Sequence, residues 1–323
     1  MRRNVLGYVL LAAAACGAPR DVTPLIRIDP RAAARLDWLA HPAPKEPAVT
    51  AARVHAMKSG EELGGPNAIG HPGDLLLEND EVVFVIDRLG SSVGFAESGG
   101  NVVDAADAHA RKDELGQQFT YFGKFPRQGV YDALSSGASA DGSAWVEARG
   151  RELYESKLVV TTRYTLHAPD RALLLETTLE NTGDLPISGL SLGDAIQWGG
   201  AEKIAPGKAR GFKGPSSGPY VGGVGRFASY AVTSTDGDID ATSGSTWTDT
   251  VQRKEVTLAP REKTSYARIL VVGERPDSSS LVSELSRSAG QPVGTVTLRL
   301  LPSAGETSVD VPPDARVSVR NAG

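Results

Sequence analysis

Over residues 173–180, Leu173, Leu175, Thr177 and Leu179 fall on one face and Glu176, Thr178 and Glu180 on the other. That is the period of two of a strand with one buried and one wet face. Comparable runs at 75–77, 82–86, 145–149, 158–166, 187–196, 227–233, 255–258 and 265–272 are bounded by turn residues and read as strands. Near Pro276 the pattern changes. Asp277 or Ser278 can cap a short helix, Leu281, Val282 and Leu285 give it an apolar face, and Gly290 ends it. The stretch 203–224 is rich in Gly, Pro, Lys and Ser and reads as a long exposed loop.

The chain is organised around 64–104, where two short strands, 75–77 and 82–86, are joined by Glu78-Asn79-Asp80-Glu81. Glycines and polar residues, among them Asn67, Asp74, Asn101 and Asp104, crowd around this hairpin, which reads as architecture first and site second. Glycine makes up 36 of 323 residues, an excess over the usual ~7% that fits a fold with many turns. The fold class expected is therefore all-β. At 323 residues the chain can bury one large core or two modest ones.

The N-terminus carries a basic pair, Arg2 and Arg3, followed by eleven apolar residues at 5–15, too short a run to span a bilayer as a helix. It ends Ala13-Ala14-Ala15-Cys16-Gly17, which resembles the lipobox of bacterial lipoproteins, with alanine where leucine is commoner. Cys16 is the only cysteine, so no disulfide competes for it. The organisation expected is a lipoprotein signal peptide at 1–15, a proline-rich tether at 16–50, a β-domain at 51–275, a helical linker at 276–290 and the start of a small β-domain at 291–323. The partner implied at the N-terminus is a membrane reached through a lipid on Cys16, and the location is the cell envelope, at the outer membrane of a Gram-negative bacterium. A formal charge of −5 without a basic cluster argues against nucleic acid.

Candidate chemistry is sparse. His41, His55, His71, His109 and His167 make no metal-ligand spacing, and Asp104-x-x-Asp107-x-His109 is the one grouping of acids with imidazole. No nucleophile elbow or phosphate loop occurs, so neither metal nor cofactor is expected. Phe119, Tyr121, Phe122 and Phe125 form either a hydrophobic plug or a ligand-stacking wall. Asp194 and Trp198, flanked by glycines, either line a sugar-sized pocket or act as turn-former and core anchor. The residues expected at any ligand site are Asn101, Asp104, Asp194 and Trp198.

Segments 73–80, 82–86, 99–104 and 193–199 resemble the N-terminal β-rich region of CehA/McbA-type metallohydrolases and related envelope lipoproteins. Segments 290–296 and 313–319 are similar to the start of the carboxypeptidase-regulatory-like sandwich that follows that region. The resemblance covers residue 64 to the end and implies a β-supersandwich with the strand pattern of galactose-mutarotase-like proteins. It also implies a downstream PHP-type hydrolase domain, whose His-rich metal motifs lie nowhere in this chain. The function expected is an exported, lipid-anchored binding or accessory module, directed at glycans. The alternatives are a mutarotase- or lyase-like enzyme using His71 or His109 with Asp104, or the non-catalytic lead-in of a longer metallohydrolase.

Overall fold

Eighteen strands and one helix make up residues 51–91 and 94–290, the part of the chain that the structure, a computed structural model, describes. In chain order the strands are β1 Arg53–Ala56, β2 Leu75–Glu78, β3 Val82–Ile86, β4 Val102–Asp107, β5 Gln117–Tyr121 and β6 Gly129–Ala138. There follow β7 Ala144–Glu152, β8 Leu158–Leu166, β9 Ala172–Asn181, β10 Ile187–Gln197, β11 Glu202–Ile204 and β12 Gly214–Gly218. The last six are β13 Tyr220–Val224, β14 Ser229–Ser234, β15 Ile239–Ser243, β16 Trp247–Val251, β17 Arg253–Leu258 and β18 Lys263–Val272. The helix α1 spans Ser278–Ser288.

The fold is all-β: two antiparallel sheets stacked as a sandwich. One sheet has ten strands in the order β1-β2-β3-β4-β5-β10-β16-β15-β12, with β17 also paired to β10. The other has eight, β11-β13-β14-β18-β9-β8-β7-β6. The hairpin of β2 and β3 forms as expected, its turn fixed by Asn79, whose side-chain oxygen accepts the amides of Glu81 and Val82. On β9 the inward residues Leu173, Leu175, Thr177 and Leu179 are buried, as the alternation requires. Leu174 points the other way and is buried too, because α1 lays Leu281 and Leu285 against it together with Ile269 and Val271 of β18. Asp277 caps that helix by accepting the amide of Ser280.

The stretch 203–224 is not a long loop. It contains most of β11, all of β12 and all of β13, and β13 is buried throughout. Its glycines disguise it: a Cβ on Gly223 would lie 3.0 Å from the Trp198 ring, so glycine there is the condition for close packing. The expected lipidation at Cys16, the signal and tether of 1–50, and the small β-domain of 291–323 all lie outside the described residues.

Between the sheets the apolar core is interrupted by one polar network. Arg268 on β18, 1% exposed, reaches across to Asp194 on β10, 0% exposed. Its Nε donates to both carboxylate oxygens at 3.0 and 2.8 Å, and Nη2 to Oδ1 at 2.6 Å. Its remaining donors go to Thr177 Oγ1 at 2.5 Å, the Leu175 carbonyl and Thr120 Oγ1 on the facing sheet. The Tyr131 hydroxyl joins Thr120 and Thr162, and the Tyr266 hydroxyl donates to the Gly193 carbonyl. Removing one partner of such a pair leaves an uncompensated buried charge, at a cost of roughly 3–5 kcal/mol. Arg268→Ala or Asp194→Ala is therefore expected to lower the unfolding free energy by that amount, read from the drop in the urea midpoint. The paired replacement Asp194→Leu with Arg268→Met should recover most of it, and a double variant no better than the worse single one would show that the network does more than neutralise itself.

Candidate functional site

The four residues expected at a site are all in the interior: Asn101, Asp104, Asp194 and Trp198 are each 0% exposed. Asp194 is committed to Arg268, and Trp198 donates its indole N–H to Thr248 Oγ1 at 2.7 Å. Asp104 accepts the backbone amides of Ile69 and Gly70 at 2.9 and 2.8 Å, pinning the glycine loop to β4. Asn101 donates its side-chain N–H to the Ser98 carbonyl and its backbone N–H to Asp87 Oδ1. Asp74 holds the amides of His71 and Arg88 in the same manner. The dense acids of 64–104 thus organise loops. Burial pushes the Asp87 carboxyl up to about 7 and Asp104 to about 6, the neighbouring Asp74 charge adding to both. His71 and His109 are exposed; the charge of His71 reaches the Asp104 carboxyl and offsets part of its rise, while Asp104 itself is buried.

The residues turned the other way on the same strands make a more open arrangement. Gln197 of β10 registers with Gln117 of β5 and Trp247 of β16, Ala195 with Phe119 and Asp249, and Gly193 with Tyr121. Their sequence neighbours Thr120, Asp194, Ile196, Thr248 and Thr250 are buried in the sandwich, so these eight face outward on the ten-stranded sheet. Gln197, Trp247 and Asp249 are partly exposed. A Cβ on Gly244 would lie 2.3 Å from the Trp247 ring, so that glycine lets the indole lie flat across the β15–β16 turn.

A loop covers the far side of this strip. Gln117 Oε1 accepts the amides of Phe95 and Ala96 at 3.0 and 3.2 Å, and Ala96 packs on Phe119, Tyr121 and Ala195. Gln128 clasps the same loop through the Phe95 carbonyl and the Glu97 amide. Phe95, 56% exposed, meets Phe125, 54% exposed, edge to face with centroids 6.2 Å apart. The Tyr121 hydroxyl sits beneath, within electrostatic reach of the Asp249 carboxylate. Burial pushes Tyr121 up to about 12, with the Asp249 charge adding to it. Burial likewise raises Asp249 to about 6, and the nearby Tyr121 hydroxyl offsets part of that rise. The strip thus offers a flat indole, the Gln197 carboxamide, a half-buried carboxylate and a pair of exposed phenyl rings.

The aromatic cluster of the sequence is divided between the two roles considered for it. Phe122 joins the inter-sheet core, Phe119 and Tyr121 lie under the loop on the outer face, and Phe125 is at the rim. Trp247 and Asp249 go unnoticed in sequence, although the alternation Trp247-Thr248-Asp249-Thr250-Val251 is a legible strand signal. A separate cleft of about 380 Å³ beside α1 is lined by Glu81, Arg171, Glu284 and Arg287 among others. Its arginines are already engaged, Arg171 with Glu81 and Asp107, Arg287 with Glu284. Among the described residues, no group of three or more His, Cys, Asp or Glu is placed to hold a metal ion.

No family model matches the chain, and no curated protein matches it. Solved structures that resemble it include a TPR-domain containing protein from Parabacteroides distasonis, at 13% identity and a TM-score of 0.47, over 72% of this chain and 50% of that one. The chain thus spans half the length of that protein. Others are a galactose mutarotase-like protein from Lactobacillus casei (11%, TM-score 0.40, 62% and 100% covered) and a putative aldose 1-epimerase from Escherichia coli (8%, 0.38, 61% and 97%). The likeness is one of sandwich architecture.

Asp87, Asp104 and Asp249 all bind protons more tightly in the folded state than in the unfolded chain, where aspartate titrates near 4. Between about pH 4 and 7 the native state therefore holds more protons, and stability falls as pH rises through that window. The thermal midpoint is expected to be higher at pH 5 than at pH 8, and Asp87→Asn to flatten the slope. A midpoint that rises toward pH 8 would contradict the burial argument.

Proposed function

We propose that this chain is a saccharide-binding β-sandwich that holds its ligand along the outer face of the ten-stranded sheet, between Trp247 and the Phe95–Phe125 pair. The observation that carries this is the half-buried Asp249 carboxylate, which lies on the outer face beside Trp247 and Gln197 and within electrostatic reach of Tyr121. Sugars present both hydroxyls and an apolar ring face. A carboxylate and the Gln197 carboxamide take the former, the partly exposed Trp247 indole the latter. Mutarotase- or lyase-type proton transfer would fall to the same Asp249 and Tyr121, and turnover of a bound sugar would favour it over simple binding.

The test is a saccharide array followed by calorimetry on the full chain. Trp247→Ala is expected to weaken binding about tenfold, equivalent to ~1.4 kcal/mol, and Asp249→Asn to weaken it similarly. No saccharide ligand, or a ligand indifferent to both changes, would sink the reading.

The N-terminal reading belongs to the same proposal: a lipid on Cys16 and a proline-rich tether present the sandwich at the cell envelope, ahead of a downstream hydrolase domain. Cys16→Ser is expected to move the protein from the detergent phase to the aqueous phase on partition, with loss of the lipid mass. An unmodified Cys16 in the mature wild-type chain would count against it.

A further inference from the structure

The strands that carry Gln117, Gln197 and Trp247 all begin or end at one edge of the strip, and the segments that surround this end of the sandwich share a composition. Residues 202–214, 224–229 and 243–247 contain Lys203, Lys208, Arg210, Lys213 and Arg226 against a single carboxylate, Glu202. In a chain of net charge −5 this is a local reversal of sign.

The segments are tied together. Lys203 Nζ donates to the Ser245 carbonyl in the turn before Trp247 at 2.5 Å, and the Gly211 amide donates to the Lys203 carbonyl. Arg210 donates to the Val224 carbonyl and pairs with Glu202, while the buried Glu114 carboxylate enters the neighbouring turn and accepts the amides of Phe227 and Ala228, leaving five cations against two acids. Val224 in turn precedes the β13–β14 turn that bears Arg226, whose guanidinium lies over the exposed Phe227 ring at 5.1 Å. Lys208, Lys213 and Arg226 are exposed, and none makes an ion pair among the described residues. Burial lowers the pKa of Lys203, and the charge of Lys213 lowers it further, so two ammonium groups stand within electrostatic reach of one another. Unpaired like charges held together raise the local potential and attract an anion.

Resting on the saccharide reading of the strip, we infer that its ligand is an acidic polysaccharide, bearing carboxylate or sulfate groups that Lys208, Lys213 and Arg226 engage while a sugar ring lies on Trp247. The geometry favours a saccharide over a lipid surface because Lys203, on the segment that carries Lys208 and Lys213, ties that segment to the turn before Trp247. Asp249 lies one registered pair further along, away from the cations, where it can accept hydroxyls.

The full chain is titrated with polygalacturonate, dextran sulfate, neutral dextran and phosphatidylglycerol vesicles, as wild type, as K208E/K213E and as Trp247→Ala. Affinity for one or both acidic polymers is expected to fall roughly tenfold between about 50 mM and about 0.5 M salt, and similarly in K208E/K213E. Trp247→Ala should weaken it too, and the carboxylated and sulfated polymers identify which anion is preferred. Saccharide binding that Trp247→Ala weakens but K208E/K213E and salt leave unchanged would overturn the acidic ligand and spare the saccharide site. Polymer binding that responds to K208E/K213E and not to Trp247→Ala would overturn both. So would binding to the vesicles alone.

Discussion

A guanidinium and a carboxylate with no access to water hold the two sheets of this sandwich in one relative position. Arg268 and Asp194 lie on strands of opposite sheets, and the guanidinium is held further by Thr177 and Thr120, with Tyr131 bonded to Thr120 and Tyr266 to the Gly193 carbonyl beside Asp194. An apolar core alone tolerates sliding, because apolar contact is non-directional. A bidentate ion pair is not tolerant in this way, since a shift of even 1 Å breaks its short bonds while the desolvation cost remains. The network therefore specifies alignment as much as it contributes stability.

Alignment matters because side chains alternate. With Asp194 fixed inward on β10, Ala195 and Gln197 must face outward. The inward hydroxyls Thr120, Thr248 and Thr250 likewise force Phe119, Tyr121, Trp247 and Asp249 to the outer face. A slip of one residue would exchange the two sets. The outward strip is thus dictated by the interior it does not touch.

This explains what the sequence shows and what it conceals. Local features are legible: the hairpin of 75–86, the strands at 158–166 and 172–181, and the helix with its Asp277 cap all follow from alternation and capping within a few residues. Asp104 and Asp194 draw attention as polar residues among glycines, yet backbone amides account for the first and the Arg268 ion pair for the second, and neither partner leaves a mark in the local sequence. Conversely, Asp249 and Tyr121 are separated by 128 positions and meet only because β5 and β16 both pair with β10. The glycine-rich strand β13 reads as a loop because the contact that demands its glycines, the Trp198 ring, is also remote in sequence.

The central strand β10 settles how the outer face can be chemically continuous. Tyr121 and Asp249 sit on strands either side of it, about two strand spacings apart, a distance near 9–10 Å that only a long side chain can bridge. A tyrosine hydroxyl reaches across because the intervening β10 positions are Gly193 and Ala195, which present almost nothing above the sheet. The same strand therefore supplies the inward carboxylate and the smallest side chains outward. The first, held by Arg268, fixes the sheets; the second leaves room for Tyr121 to come within electrostatic reach of Asp249.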